Sequence, residues 1–195
     1  MGTFYYLIDD SPALGTAVQY AGPFTLEEGV RTLYYSGSDK AGNMPAFVSE
    51  KVYVDGTPPT VYLLAGNERY AGGTSGYIVE GSSITLFPLD PEVNGVASGL
   101  KEVYALIDVT PEECGAGGVI PAACQNRVYS GPFTLPVGTH TVYYSAMDNV
   151  GNVAALKNVR IEVTAKSPKQ RESALRAAEF YQRFKESLQE EHIKR

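Results

Sequence analysis

The groups best able to do chemistry in this 195-residue chain are carboxylates. Asp90, Glu92 and Asn94 alternate in one acidic loop, and Asp55 lies at a break between two strand-rich stretches. Oxygen donors of this kind suit calcium, which accepts carboxylates, carbonyls and waters in flexible geometry. The spacing is not that of an EF-hand, so calcium is a minor reading and the one cofactor to weigh. Asp9/Asp10 and Glu112/Glu113 sit in turn-like text and read as solvated. A hydrolytic pair would need a cleft that small β-folds seldom offer.

His140 falls in a strand, and His192 near the end of a helical stretch, where a cation is favoured. Neither has a motif neighbour. The chain has no G-x-S-x-G, H-E-x-x-H or C-x-x-C pattern, and the Gly-rich residues 66–76 lack the Lys-Ser/Thr of a phosphate loop. The expectation is a non-enzymatic protein without catalytic residues. Its two cysteines, Cys114 and Cys124, share one loop. A local disulfide would contribute on the order of 3 kcal/mol by chain entropy and would fit an exported protein; two reduced thiols are the alternative.

The net charge of −6 is uneven: residues 166–195 carry eight Lys/Arg and five Asp/Glu, so the rest is strongly acidic. An acidic body is a poor match for a phosphate backbone, so nucleic acid is not an expected partner. No apolar run approaches the ~20 residues of a spanning helix. Met1-Gly2 leads straight into strand-like text without a leader-like segment. The start therefore reads as a processed or excised boundary, and localisation rests on other signals.

What positions these groups is a repeat. Residues 20–43 (YAGPFTLEEGVRTLYYSGSDKAGN) recur as residues 129–152 (YSGPFTLPVGTHTVYYSAMDNVGN), shifted by 109 positions without a gap. Recurrence of this kind means two copies of one small fold. Strand-like text before each block, residues 3–9 and 102–108, aligns at an offset of 99, so the second copy carries ten extra residues, and both cysteines lie there. Strands are expected at residues 3–8, 18–26, 30–38 and 47–54, and then at 60–64, 77–79, 83–89, 100–108, 128–135, 138–147 and 154–163. Residues 66–76 read as loop. Asp39 and Asn43, with their counterparts Asp148 and Asn152, read as turn-closing residues. Phe24 and Phe133 read as core anchors, and each Tyr-Tyr pair, Tyr34-Tyr35 and Tyr143-Tyr144, should put one ring inward and one outward.

Asp55-Gly56-Thr57-Pro58-Pro59 is a stiff connector. The chain divides into a partial unit (1–55), a connector (56–59), a complete unit (60–164) and a helix (165–195). The first unit lacks counterparts of the strands at residues 60–89, so it reads as truncated, as completed by another chain through strand addition, or as covered by the C-terminal helix. Ser167-Pro168-Lys169-Gln170 is a capping box with Pro at the first helical position. Ala174, Ala177, Tyr181, Phe184 and Leu188 then form one stripe, about two heptads long, for a contact on this chain or another.

These residues carry a resemblance. A strand ending in Leu-Ile-Asp, then Tyr-x-Gly-Pro-Phe-Thr-Leu, Gly-x-x-Thr-x-Tyr-Tyr-Ser, Asp-x-x-Gly-Asn, and Val-Asp-x-Thr-Pro-Pro resembles the bacterial Ig-like tandem repeats of cell-surface and secreted proteins, including β-domains named after an outer-membrane protein. The match spans nearly all of residues 60–163 and the later half of a repeat in 3–54. The open first repeat and the helical tail depart from it. The resemblance implies a mainly β protein of tandem Ig-like antiparallel sandwiches, the first incomplete, followed by an amphipathic helix. It further implies an extracellular spacer, stalk or adhesion module, and supplies no catalytic residue. The competing readings are a self-assembling filament or oligomer subunit, and an accessory module of a secreted hydrolase. Exposed tyrosines make carbohydrate a candidate ligand, weakened by the lack of Trp.

Overall fold

A computed structural model describes residues 2–10, 12, 16–66, 68–70, 72–110 and 128–193; helix side chains are described at 168–183, 185 and 186. Cys114 and Cys124, and the side chains of Phe184, Leu188 and His192, lie outside the described residues. The protein is mainly β with one C-terminal helix. Its strands are β1 (Thr3–Ile8), β2 (Val18–Gln19), β3 (Gly29–Ser38), β4 (Val48–Val54), β5 (Thr60–Ala65), β6 (Glu68–Tyr70), β7 (Thr74–Val79), β8 (Ile84–Leu89), β9 (Leu100–Ile107), β10 (Gly138–Asp148) and β11 (Lys157–Thr164). The helix α1 is Pro168–Ile193.

Strands β5 to β11 form an Ig-like β-sandwich. One sheet runs β6-β5-β8 and the other β7-β11-β10-β9. Side chains alternate inward along β5 and β11 as the pleat requires. Val61, Leu63, Ile84 and Leu86 from the smaller sheet meet Val142, Tyr144, Val159 and Ile161 from the larger in one buried core. Burial pushes the Tyr144 phenol up to about 12. Residues 128–133 close one side: Tyr129 N–H donates to Val103 O on one sheet, and Phe133 exchanges both backbone bonds with Ile84 on the other.

The two copies of the repeat share one register. Ile8 faces Leu33 and Gly29 faces Val54 in the first copy; Ile107 faces Val142 and Gly138 faces Val163 in the second. Small features recur as well. Ser36 Oγ donates to Pro45 O, and Ser145 Oγ to Ala154 O. Tyr20–Phe24 and Tyr129–Phe133 are edge-on pairs with ring centroids 6.4 Å apart in both.

The first copy is one four-stranded sheet, β2-β1-β3-β4, with no second sheet facing it among the described residues. Tyr35 is 41% exposed where its counterpart Tyr144 is fully buried, so the inward-outward expectation for the tyrosine pair holds only where a second sheet exists. Phe24 stacks on Tyr6 at 4.3 Å but stays 38% exposed; Phe133 is half-buried against the core.

Three expected boundaries differ. Residues 18–26 and 128–135 yield only the two-residue β2 and isolated bridges at Val128 and Phe133, because Pro23 and Pro132 remove a ladder donor. Residues 66–76 are not loop throughout: they hold β6 and the start of β7. Strand β7 pairs in parallel with β11, so the sandwich is not purely antiparallel. In α1 the capping box is made: Ser167 N–H donates to Gln170 Oε1, and Gln170 N–H to Ser167 Oγ. Ala174, Ala177 and Tyr181 are exposed, and Arg171 reaches Glu80 at 3.8 Å.

Candidate carboxylate site at the junction

Three carboxylates meet where the two copies join. Asp55 comes from the end of β4, Asp90 from the loop after β8, and Asp148 from the end of β10. One ligand oxygen from each lies within 4.8 Å of the others. Asp148 is fully buried, while Asp55 and Asp90 are half-buried.

Each carboxylate is held by the backbone. Asp148 Oδ1 accepts the N–H groups of Val150, Gly151 and Asn152 at 2.7 to 3.0 Å, and its Oδ2 accepts Asn152 Nδ2 at 2.7 Å. Gly151, at φ +100°, supplies the left-handed turn that aims those donors. Asp55 Oδ1 accepts Thr57 N–H at 3.1 Å, and its Oδ2 accepts Ser98 N–H at 2.7 Å. The Ser98 side chain beside it, then the Ser98 and Thr57 N–H groups, outweigh burial and hold the Asp55 carboxyl below the ordinary carboxylate range. Asp90 Oδ2 accepts Gly99 N–H at 2.7 Å.

Two oxygens are left over. Asp90 Oδ1 and Ser98 Oγ are both closed off from solvent without a well-formed hydrogen bond. None of the ion pairs among the described residues reaches the three carboxylates. Unit charges about 5 Å apart repel by roughly 3 kcal/mol at an effective dielectric near 20. A group of this kind is best matched by a cation with hard-oxygen preference.

The sequence expectation placed this chemistry on Asp90, Glu92 and Asn94, with Asp55 at the junction. Asp90 and Asp55 belong to the cluster; Glu92 and Asn94 do not. Asn94 sits at φ +50° and donates from Nδ2 to Glu28 O at 3.3 Å, on the first copy, and Glu92 is exposed. Asp148, read from sequence as a turn residue, is a cluster member as well. Its counterpart Asp39 closes the equivalent loop in the first copy, accepting Ala41 and Asn43 N–H groups and Asn43 Nδ2, all at 2.9 Å. Those bonds, Asn43's side chain foremost, lower the Asp39 pKa. Asn152 does more than Asn43: its Nδ2 also donates to Asp55 O at 3.1 Å, tying the connector down.

His140 is the other group that could do chemistry. Its Nδ1 lies 2.6 Å from Asp108 Oδ2, and its Nε2 lies 3.0 Å from Pro136 O. A histidine base must turn its second nitrogen to a substrate, and here a backbone carbonyl fills that position. The first copy has the same arrangement in other residues, with Arg31 Nη1 donating to Asp9 Oδ2 at 2.9 Å. In both copies the aspartate also accepts a backbone N–H, from Thr32 or Thr141, at 2.8 Å. The pair closes the end of a strand.

No family model and no curated protein sequence matches the chain. Among solved structures it is similar to Clostridium thermocellum CbhA fibronectin(III)-like modules, at 17% identity and a TM-score of 0.35, over 84% of this chain and 78% of that one. No helix among the described residues is long and apolar enough to cross a membrane.

Proposed function

We propose that the chain is a non-enzymatic structural segment of an exported bacterial surface protein, a spacer built of Ig-like units. A spacer must transmit position from one unit to the next, so its joints must resist bending. The joint between the two copies supports this reading. Besides the Asp55–Ser98 and Asn152–Asp55 bonds, Gly56 N–H donates to Glu28 Oε1 at 3.1 Å, and Asn94 spans from the second copy to Glu28 O. Pro58 and Pro59 stiffen the same stretch by fixing φ. Five residues between β4 and β5, so pinned, act as a bracket rather than a tether.

The expected result is a single tumbling body. NMR relaxation of the full chain should give matching rotational correlation times for amides in β3 and β10. Distinct, shorter times for the two copies would defeat the spacer reading. The reading of an assembling subunit has its own support in the bare face around Tyr35, and sedimentation over a range of concentrations separates it: a strict monomer removes it.

A further inference from the structure

We infer that the junction is a calcium site, with Asp90 and Ser98 as its distinguishing donors and Asp55 and Asp148 completing it. Two oxygens bound to one calcium ion at 2.3–2.6 Å lie at most about 5 Å apart. The carboxylate oxygens of Asp55, Asp90 and Asp148 fall within 4.8 Å of one another, the span a single ion can bridge. Clustered acids alone would not make a site. The independent observation is an orphaned oxygen: Asp90 Oδ1 is closed off from solvent without a partner although Asp90 Oδ2 accepts Gly99 N–H, and Ser98 Oγ, equally closed off, lies beside the Asp55 carboxylate without a well-formed bond. Native interiors rarely leave such atoms unmatched, and a bound ion is one of the standard reasons. An oxygen-only donor set of carboxylates and a hydroxyl selects a hard divalent cation over thiolate- or imidazole-seeking metals.

The three acids come from three separate segments, so the ion would couple the end of β4 to two loops of the second unit. The first copy provides an internal comparison. Asp39 and Asn43 reproduce the Asp148–Asn152 loop, but the described chain has no counterparts of Asp90 and Ser98 beside them, so that loop should not bind.

The test uses the full chain stripped of metal with chelator and then titrated with calcium chloride, with magnesium chloride as comparison. Calorimetry should show one saturable site, with a dissociation constant on the order of 0.1–1 mM as in extracellular calcium modules. In 1H-15N spectra the amides of Ser98, Gly99 and Asn152 should shift with the same midpoint, while those of Ala41 and Asn43 stay still. Asp90→Asn, which keeps an oxygen for Gly99, should weaken binding roughly 10-fold or more. The inference is overturned if calcium up to roughly 10 mM, well above that range, gives neither heat nor shifts. It is equally overturned if the shifts map away from Ser98 and Gly99, or if Asp90→Asn binds as tightly as the parent. The amide map needs no variant, so it decides the matter even if Asp90→Asn folds poorly. Rigid tumbling without calcium binding would leave the spacer reading standing and remove only this site.

Discussion

Tyr35 and Tyr144 allow one residue to be tested in two surroundings within one chain. They occupy the same register position in β3 and β10, yet Tyr35 is 41% exposed and Tyr144 fully buried. A tyrosine buries on the order of 200 Å² when enclosed. The exposed share at Tyr35 is then about 80 Å², or about 2 kcal/mol at ~25 cal/mol per Å². Truncating Tyr144 also opens a cavity between two sheets that cannot close fully, while the site of Tyr35 fills with water. Tyr144→Ala should therefore cost about 4 kcal/mol and Tyr35→Ala about 2 kcal/mol or less. Urea unfolding followed by far-UV circular dichroism measures both, with each unit's transition fitted separately because the two need not unfold together. Hydrogen exchange on β3 and β10 amides assigns the transitions. Equal costs would refute the reasoning, and would mean that Tyr35 is enclosed in solution by something that dilution should release.

Two further outcomes follow from single positions. A methyl group at Gly76 would lie 2.1 Å from the Tyr70 hydroxyl oxygen and 2.4 Å from its ring carbon, and Tyr70 is itself buried; Gly76→Ala should cost about 1–3 kcal/mol, read as a lowered Tm, and an unchanged Tm would show that the ring has room to swing. At Asp108 burial alone would raise the pKa, but the hydrogen bonds from His140 and Thr141 N–H, with the His140 charge, outweigh it and leave the carboxyl below its ordinary value. The stabilisation is present above the unfolded pKa of about 3.9 and fades as pH falls toward the folded value. The stability gap between the parent and Asp108→Asn should accordingly narrow below about pH 4, and a gap constant from pH 7 down to pH 3 would contradict the assignment.

The repeated sheet was legible because its signals are local and doubled. The matching Gly, Asp and Asn turns and the strand alternation recur at a fixed offset, and the Ser167–Gln170 cap is written in four residues. Which sheet a strand joins has no such signature. The text of β7 has the composition of its neighbours, and only three-dimensional packing sends it across to run parallel with β11. The Gly-Pro stretches misled in the other direction, since aromatic and β-branched neighbours suggested strands that proline then prevents. The junction cluster was half legible: Asp90 and Asp55 stood out as acidic loop positions, but Asp148 is 58 positions beyond Asp90 and was already accounted for by its turn. Asn94 and Glu92 alternate with Asp90 in sequence, but Asn94, with a left-handed backbone, gives its side-chain amide to Glu28 O, and Glu92 stays exposed.

The order β2-β1-β3-β4 has a mechanical consequence. Strands β1 and β4 point the same way on either side of β3, since each is antiparallel to it. Tension applied at Thr3 and Val54 would therefore run along the strands. Antiparallel backbone bonds lie across the strand axis, so both ladders would be loaded in shear, with all their rungs sharing the force. A hairpin pulled from its two adjacent ends would instead peel open one rung at a time.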